Sequence, residues 1–231
     1  MRWRDSQTAC ACRAEALKMV TFPAVRWAGA ATAALALLQL WSAARGRARG
    51  GAGGLEQVAW SWTVPVQVGF LVTGALACAA GTTCLRTTLL VQPVRARVAG
   101  ARTGVVGLGA LAAAGLLLAP VAVLLPGRGT AGATGRVLLW LVAAALIGSG
   151  AAGLLRRAST AVTGALLLVV VPQALSGYLG AAGRLLPGVA AQELLGGGRG
   201  PGSRTAALLT VLAWVCVCQL AGAWRTIRSD A

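Results

Sequence analysis

Six stretches of the chain are apolar, wholly uncharged and close to the length that crosses a bilayer. They cover residues 27–44, 58–80, 105–125, 137–155, 161–179 and 206–224. A spanning helix needs about 20 mostly apolar residues to cross about 30 Å of hydrocarbon. All 21 basic and all 5 acidic residues fall between or beyond these stretches. Backbone in lipid has no water to bond, so each stretch must satisfy its own N–H and C=O groups as a helix. A membrane β-barrel would show short segments of alternating polarity instead, and these runs do not alternate. The expected fold class is therefore all-α, a polytopic membrane protein with six transmembrane helices. Residues 1–26 form an N-terminal segment and 27–231 the six-span domain.

Composition supports this and closes other classes. Charged residues are only 11% and hydrophobic residues 57%, with a mean hydropathy of +0.75. A soluble domain carries roughly 25% charge, and disorder requires low hydrophobicity. The net charge of +16 is scattered between apolar runs rather than gathered into one patch. It reads as loops facing anionic headgroups and not as a nucleic-acid surface. All but one of the basic residues are Arg, Lys18 being the exception; with the abundant Ala and Gly, this has the look of a GC-rich coding bias.

An even number of spans puts both termini on one side. With the termini in the cytosol, the cytosolic segments hold 13 basic residues and the outer ones 8, which favours that orientation by the positive-inside rule. The Arg45, Arg47 and Arg49 cluster on the outer side runs against the bias. Basic residues before the first apolar run, and Ser42-Ala43-Ala44 near its end, also resemble a signal peptide. The run exceeds the usual 7–15 residues of such a segment, so it is expected to stay as a first span.

The chemistry available is sparse. There is no His, which removes Ser–His and Cys–His nucleophile pairs and most zinc sites. Cys10, Cys12, Cys78, Cys84, Cys216 and Cys218 have C-x-C and isolated spacings, and those in apolar runs act as small hydrophobes. No catalytic, cofactor or metal site is expected. The spans also lack any carboxylate or cation at mid-membrane, whereas ion-coupled carriers usually hold one there. Their polar groups are Thr63, Gln67, Thr73, Ser149, Thr163, Gln173, Ser176 and Gln219, which bond between helices without titrating. A P-loop requires G-x-x-x-x-G-K-[ST], and Lys18 is followed by Met19 with no such glycines. Any driving energy must come from another molecule.

Small residues at Gly109-x-x-x-Ala113 and Ser149-x-x-x-Gly153 let helix backbones approach closely, within a bundle or across a dimer face. Pro65, Pro120 and Pro172 lie within spans and are expected to kink them. Loop 180–204, carrying Leu185, Leu186 and Leu195, is expected to dip back into the outer leaflet. Before the first span, Leu17, Val20 and Phe22 share one helical face, with Glu15 and Lys18 on others. This is the pattern of a short helix at the inner interface; a frayed tail is the alternative.

The cytosolic segment between spans two and three reads Leu85-Arg-Thr-Thr-Leu-Leu-Val-Gln-Pro-Val-Arg-Ala-Arg97. By physics it is a basic loop on headgroups, or a short helix that docks on a soluble partner. It resembles the segment after the second span in type-2 ATP-binding-cassette (ABC-2) transporter permeases of actinobacterial kind, which read roughly E-Y-x-T-G-T-I-R-T-T-L-x-x-x-P-x-R-x-R. Ala14-Glu-Ala-Leu-Lys18 is similar to that family's A-E-x-x-K. Leu186-Pro-Gly-Val-Ala-Ala-Gln192, Trp214 and Arg228-Ser-Asp-Ala231 resemble its later motifs. The chain departs at Ala79, where the family has an acidic residue, and at Gly81, Thr83 and Cys84.

The resemblance implies a permease subunit of an exporter in the cell membrane. It would move an amphipathic or lipid-like substrate and would itself be no enzyme. ATP hydrolysis would belong to a separate ATP-binding-cassette ATPase subunit, docked on Arg86, Thr87, Thr88, Leu89, Pro93, Arg95 and Arg97. Two permeases would pair, as a homodimer or heterodimer. A non-transporting membrane scaffold or immunity protein stands as the alternative.

Overall fold

The computed structural model describes residues 2–48, 55–83, 95–124, 130–155, 157–196 and 201–228. These form helices α1 (Arg2–Thr21), α2 (Pro23–Ala48), α3 (Leu55–Thr83), α4 (Arg95–Leu124), α5 (Thr130–Leu155), α6 (Ala158–Ala174), α7 (Gly180–Gly183), α8 (Pro187–Leu195) and α9 (Pro201–Arg228). There is no strand among the described residues. Five helices, α2 to α5 and α9, are long and apolar enough to cross a membrane. The shortest of them has 26 residues, or about 39 Å at 1.5 Å per residue. The protein is thus an all-α, multi-pass membrane protein.

The fifth apolar stretch, residues 161–179, behaves differently. Its helix, α6, has 17 residues and ends at Ala174, about 25 Å of rise and five residues short of the expected end. Pro172 lies in its final turn, where it removes a donor, and the chain then turns through Gly180 at a φ of +55°. Only a glycine takes that left-handed conformation without cost. The chain re-enters as α8, with Pro187 in its first turn, where the missing N–H would be unpaired anyway. Ala190, Ala191, Leu194 and Leu195 of α8 are buried, packed against α6 and α9. This is the loop expected to dip back into the outer leaflet: its helix α8 is buried within the bundle, whereas Leu185 faces outward.

Helix α5 is the hub. It packs most extensively on α3, then on α9 and α4. The α3–α5 seam is close because it is built on glycines. A Cβ on Gly74 would strike the Ala145 carbonyl, and one on Gly148 the Leu71 carbonyl. The Ser149-x-x-x-Gly153 spacing forms the α5–α9 seam. There a Cβ on Gly150 would lie 2.6 Å from the Cys218 carbonyl carbon, and one on Gly153 would lie 3.1 Å from the Gly222 Cα. Lipid tails are as apolar as the helices, so contact this close, rather than expulsion from water, holds such seams. The Gly109-x-x-x-Ala113 pair packs no helix this way. It lines a groove.

The α2–α3 contact uses Thr32, Ala36 and Leu40. The buried Trp62 indole donates to the Ala36 carbonyl at 3.2 Å, so its only polar atom is satisfied. Pro65 and Pro120 lie inside α3 and α4, which run on through them. At the far end of α2 the Arg45 guanidinium stacks 3.7 Å from the Trp41 ring, and at the end of α9 Arg228 lies 3.8 Å from Trp224. Such amphipathic pairs mark the water–lipid boundary.

Candidate functional site

Among the described residues, the one carboxylate deep in the packing sits at the end of the bundle where α1 meets α4. Glu15 is buried. Its Oε1 accepts from Lys18 Nζ at 2.6 Å, and its Oε2 lies 3.7 Å from Arg102 Nε. Arg102 is buried in turn, and its Nη1 donates to Cys78 Sγ near the end of α3 at 3.5 Å. One charge cluster therefore ties the N-terminal helix to the start of α4 and the end of α3. Burying either charge alone would cost several kcal/mol, so the two require one another. Leu17 and Val20 of α1 remain exposed. Helix α1 thus presents its apolar face outward and its carboxylate inward, the reverse of a helix lying on a soluble protein.

Beside this cluster a cavity of about 30 Å³ opens between α3, α4, α5 and α9, bordered by Arg102, Thr103, Ser149 and Gln219. This volume admits a water. Gln219 organises its wall. Its Oε1 accepts from Thr103 Oγ1 at 2.8 Å, and its Nε2 donates to the Leu146 carbonyl at 2.6 Å and to Ser149 Oγ at 2.7 Å. The Arg225 guanidinium caps the Leu154 carbonyl at the end of α5.

A second polar centre lies within the apolar packing. Gln67 Nε2 donates to Gln173 Oε1 at 2.7 Å, and Gln173 Nε2 returns a bond to Gln67 Oε1 at 3.2 Å. Trp140 Nε1 donates to the same Gln67 oxygen at 2.7 Å. Gln192 of α8 donates to the Gln173 backbone carbonyl at 3.2 Å, which at the end of the short α6 also accepts a long turn bond from the Ser176 N–H at 3.4 Å. This reciprocal amide pair joins α3, α5, α6 and α8 by neutral groups, so it fixes geometry and moves no proton.

The structure brings together several residues singled out in the sequence: Gln67 with Gln173, Ser149 with Gln219, and Glu15 with Lys18. It adds Arg102, Thr103 and Trp140, and gives Gln192, the end of the Leu186–Gln192 motif, a partner in the Gln173 carbonyl. Of the expected coupling segment, Arg86, Thr87, Thr88, Leu89 and Pro93 lie outside the described residues, as does Cys84. Arg95 and Arg97 form the first turn of α4, two turns before Arg102. The partnership of Glu15 with Arg102 had a faint signal in the sequence. Only five acidic residues exist, and one that abuts an apolar run needs a cation.

The described residues hold no group of three or more His, Cys, Asp or Glu side chains that would suit a metal ion. Compared with family models, with curated proteins and with solved structures, the chain matches none of them.

Proposed function

We propose that this chain is the membrane-spanning subunit of an ATP-driven exporter in the cell membrane, with both termini in the cytosol. The observation that carries this reading is the Glu15–Arg102 link. It joins the helix bearing the A-E-x-x-K-like motif to the helix whose first turn bears Arg95 and Arg97, the end of the second motif. The first motif and the described end of the second are far apart in sequence, and the helices that carry them are joined at one end of the bundle. A push on segment 85–97 by an ATPase would reach α1 through Arg102 and α3 through Cys78.

ATP hydrolysis then belongs to a separate ATP-binding-cassette subunit, and two copies of this chain, or this chain and a relative, pair to form the pathway. An amphipathic or lipid-like substrate suits a bundle whose interior offers amides and hydroxyls but no mid-membrane charge. The test is co-expression with an ATP-binding-cassette ATPase, taken from the same operon where one is encoded there. A complex that survives purification in detergent, with export lost in Arg86→Ala, supports the reading; failure to co-purify sinks it. The Ala79 departure from the family pattern favours a second reading, a non-transporting scaffold or immunity protein. Under that reading the chain sequesters a toxic amphiphile, and Arg86→Ala leaves resistance to it unchanged.

A further inference from the structure

A groove of about 350 Å³ lies between the α1–α2 elbow, α3 and α4, lined by Phe70, Gly109, Ala110, Ala113 and Leu117, with Arg26 the one charged group among its described lining residues. The volume is that of a small-ligand site. The groove exists because two glycines face it without a neighbour to press on them. A Cβ on Gly29 would meet nothing within 4 Å, and one on Gly109 only the flexible end of Met19, at 3.4 Å. The flanking Val20 and Leu116 are 69% and 77% exposed, so the groove opens sideways to the surroundings of the bundle. In a bilayer those surroundings are acyl chains.

Its dimensions match one leaflet. The α4 wall runs from Val106 to Leu117, about 16 Å along the helix axis, which is half of a hydrocarbon core of about 30 Å. The charge at the groove is unspent as well. Arg26 pairs with no carboxylate among the described residues. A guanidinium there can snorkel along the groove wall and offer its planar fork to a phosphate. The polar neighbour Thr32 is already committed, its hydroxyl donating to the Ala28 carbonyl at 2.7 Å.

We infer that this groove holds an acyl chain of an anionic membrane phospholipid, with the lipid phosphate on Arg26. An apolar hollow this size strands its lining without dispersion partners unless a tail fills it. The site stands independently of any ATPase, so it survives if the transport reading fails.

The experiment uses the full chain, purified in a neutral detergent from equal parts palmitoyl-oleoyl phosphatidylglycerol and phosphatidylcholine, with retained lipid read by native mass spectrometry. The native chain is expected to keep phosphatidylglycerol over phosphatidylcholine by about fivefold, the weight of one Arg at an anionic surface. Arg26→Gln should equalise the two lipids. Gly29→Phe should lose both, because its ring fills the groove in open space without displacing backbone. Gly115→Phe, whose Cβ also meets nothing within 4 Å but which lies outside the groove lining, should retain lipid as the native chain does. The inference is overturned if Arg26→Gln keeps the preference or if Gly29→Phe, with a native melting temperature, keeps its lipid. It is overturned equally if Gly29→Phe turns a dimer into a monomer while leaving lipid retention unchanged, which would make the groove a seam between copies.

Discussion

Helices α5 and α9 have nearly the same mean hydropathy over their candidate spans, 2.1 and 2.0, yet 67% of the α5 window is buried and only 17% of the α9 window. Either sequence reads as a spanning helix. What separates them is the side-chain surface each offers a neighbour. Helix α5 carries Gly148, Gly150 and Gly153, each within van der Waals range of another helix's backbone, together with a run of buried alanines from Ala143 to Ala145. Helix α9 gives one small-residue edge, at Gly222, and turns Leu209, Val217, Leu220 and Trp224 outward. Hydropathy selects for the bilayer, whereas small residues select for the centre of the bundle. In lipid nothing expels an exposed Leu, so large apolar side chains move to the outside.

The comparison is broken most directly at the α3–α5 seam. Gly148→Leu places a side chain where the Leu71 carbonyl stands, and backbone cannot step aside. We expect a loss of about 3 kcal/mol or more, seen as failure to elute as a single species on size exclusion in detergent. Gly115→Leu on α4 is the matched control. Its Cβ meets open space, and it should elute and melt as the native protein does.

Next in size is the charge cluster. Glu15→Gln leaves Arg102 buried without its counter-charge and should cost about 3 kcal/mol, the low end for a broken buried pair, since Nε and Oε2 are already 3.7 Å apart. The readout is faster tryptic cleavage at Arg13 and Lys18 as α1 releases from α4. Unchanged cleavage would mean that the link does not hold α1.

Gln67→Leu tests the neutral network. It strands the Trp140 N–H and the Gln173 amide, which both bond Gln67 Oε1, and should cost about 1–2 kcal/mol, measured as a lower melting temperature in detergent. Replacing Gln173 by Leu as well should recover part of that loss, because fewer groups are left unpaired.

The smallest effect belongs to the periphery. Leu37→Ala on the outer face of α2, where Leu37 is 57% exposed, exchanges one lipid contact for another and should shift stability by less than about 0.5 kcal/mol. A large loss there would mean that a protein, and not lipid, covers that face.

Particular residues show how far the sequence could be read. The Ser149-x-x-x-Gly153 and Gly109-x-x-x-Ala113 spacings look alike, yet the first packs α9 and the second lines a groove. Spacing states that a close approach is possible and says nothing about which helix arrives. Gln67 and Gln173, 106 positions apart, were recognisable as bonding groups but not as partners. Helix α6 ends at Ala174, two residues past Pro172, whereas α3 runs 18 residues past Pro65 to Thr83. That distinction lies in the turn through Gly180 and in the re-entry of α8, whose Gln192 bonds the Gln173 carbonyl at the end of α6.

The amino-acid order alone determined that this chain is helical and lives in a membrane. Charge is excluded from hydrocarbon by a solvation cost that no packing repays, and that cost is local to each segment. Only the tertiary structure decided which helix is central, that Glu15 belongs to Arg102, and that a groove stands open beside Arg26. Those outcomes depend on which surfaces meet, and in lipid the meeting is chosen by shape and by a few hydrogen bonds, quantities that no single segment carries.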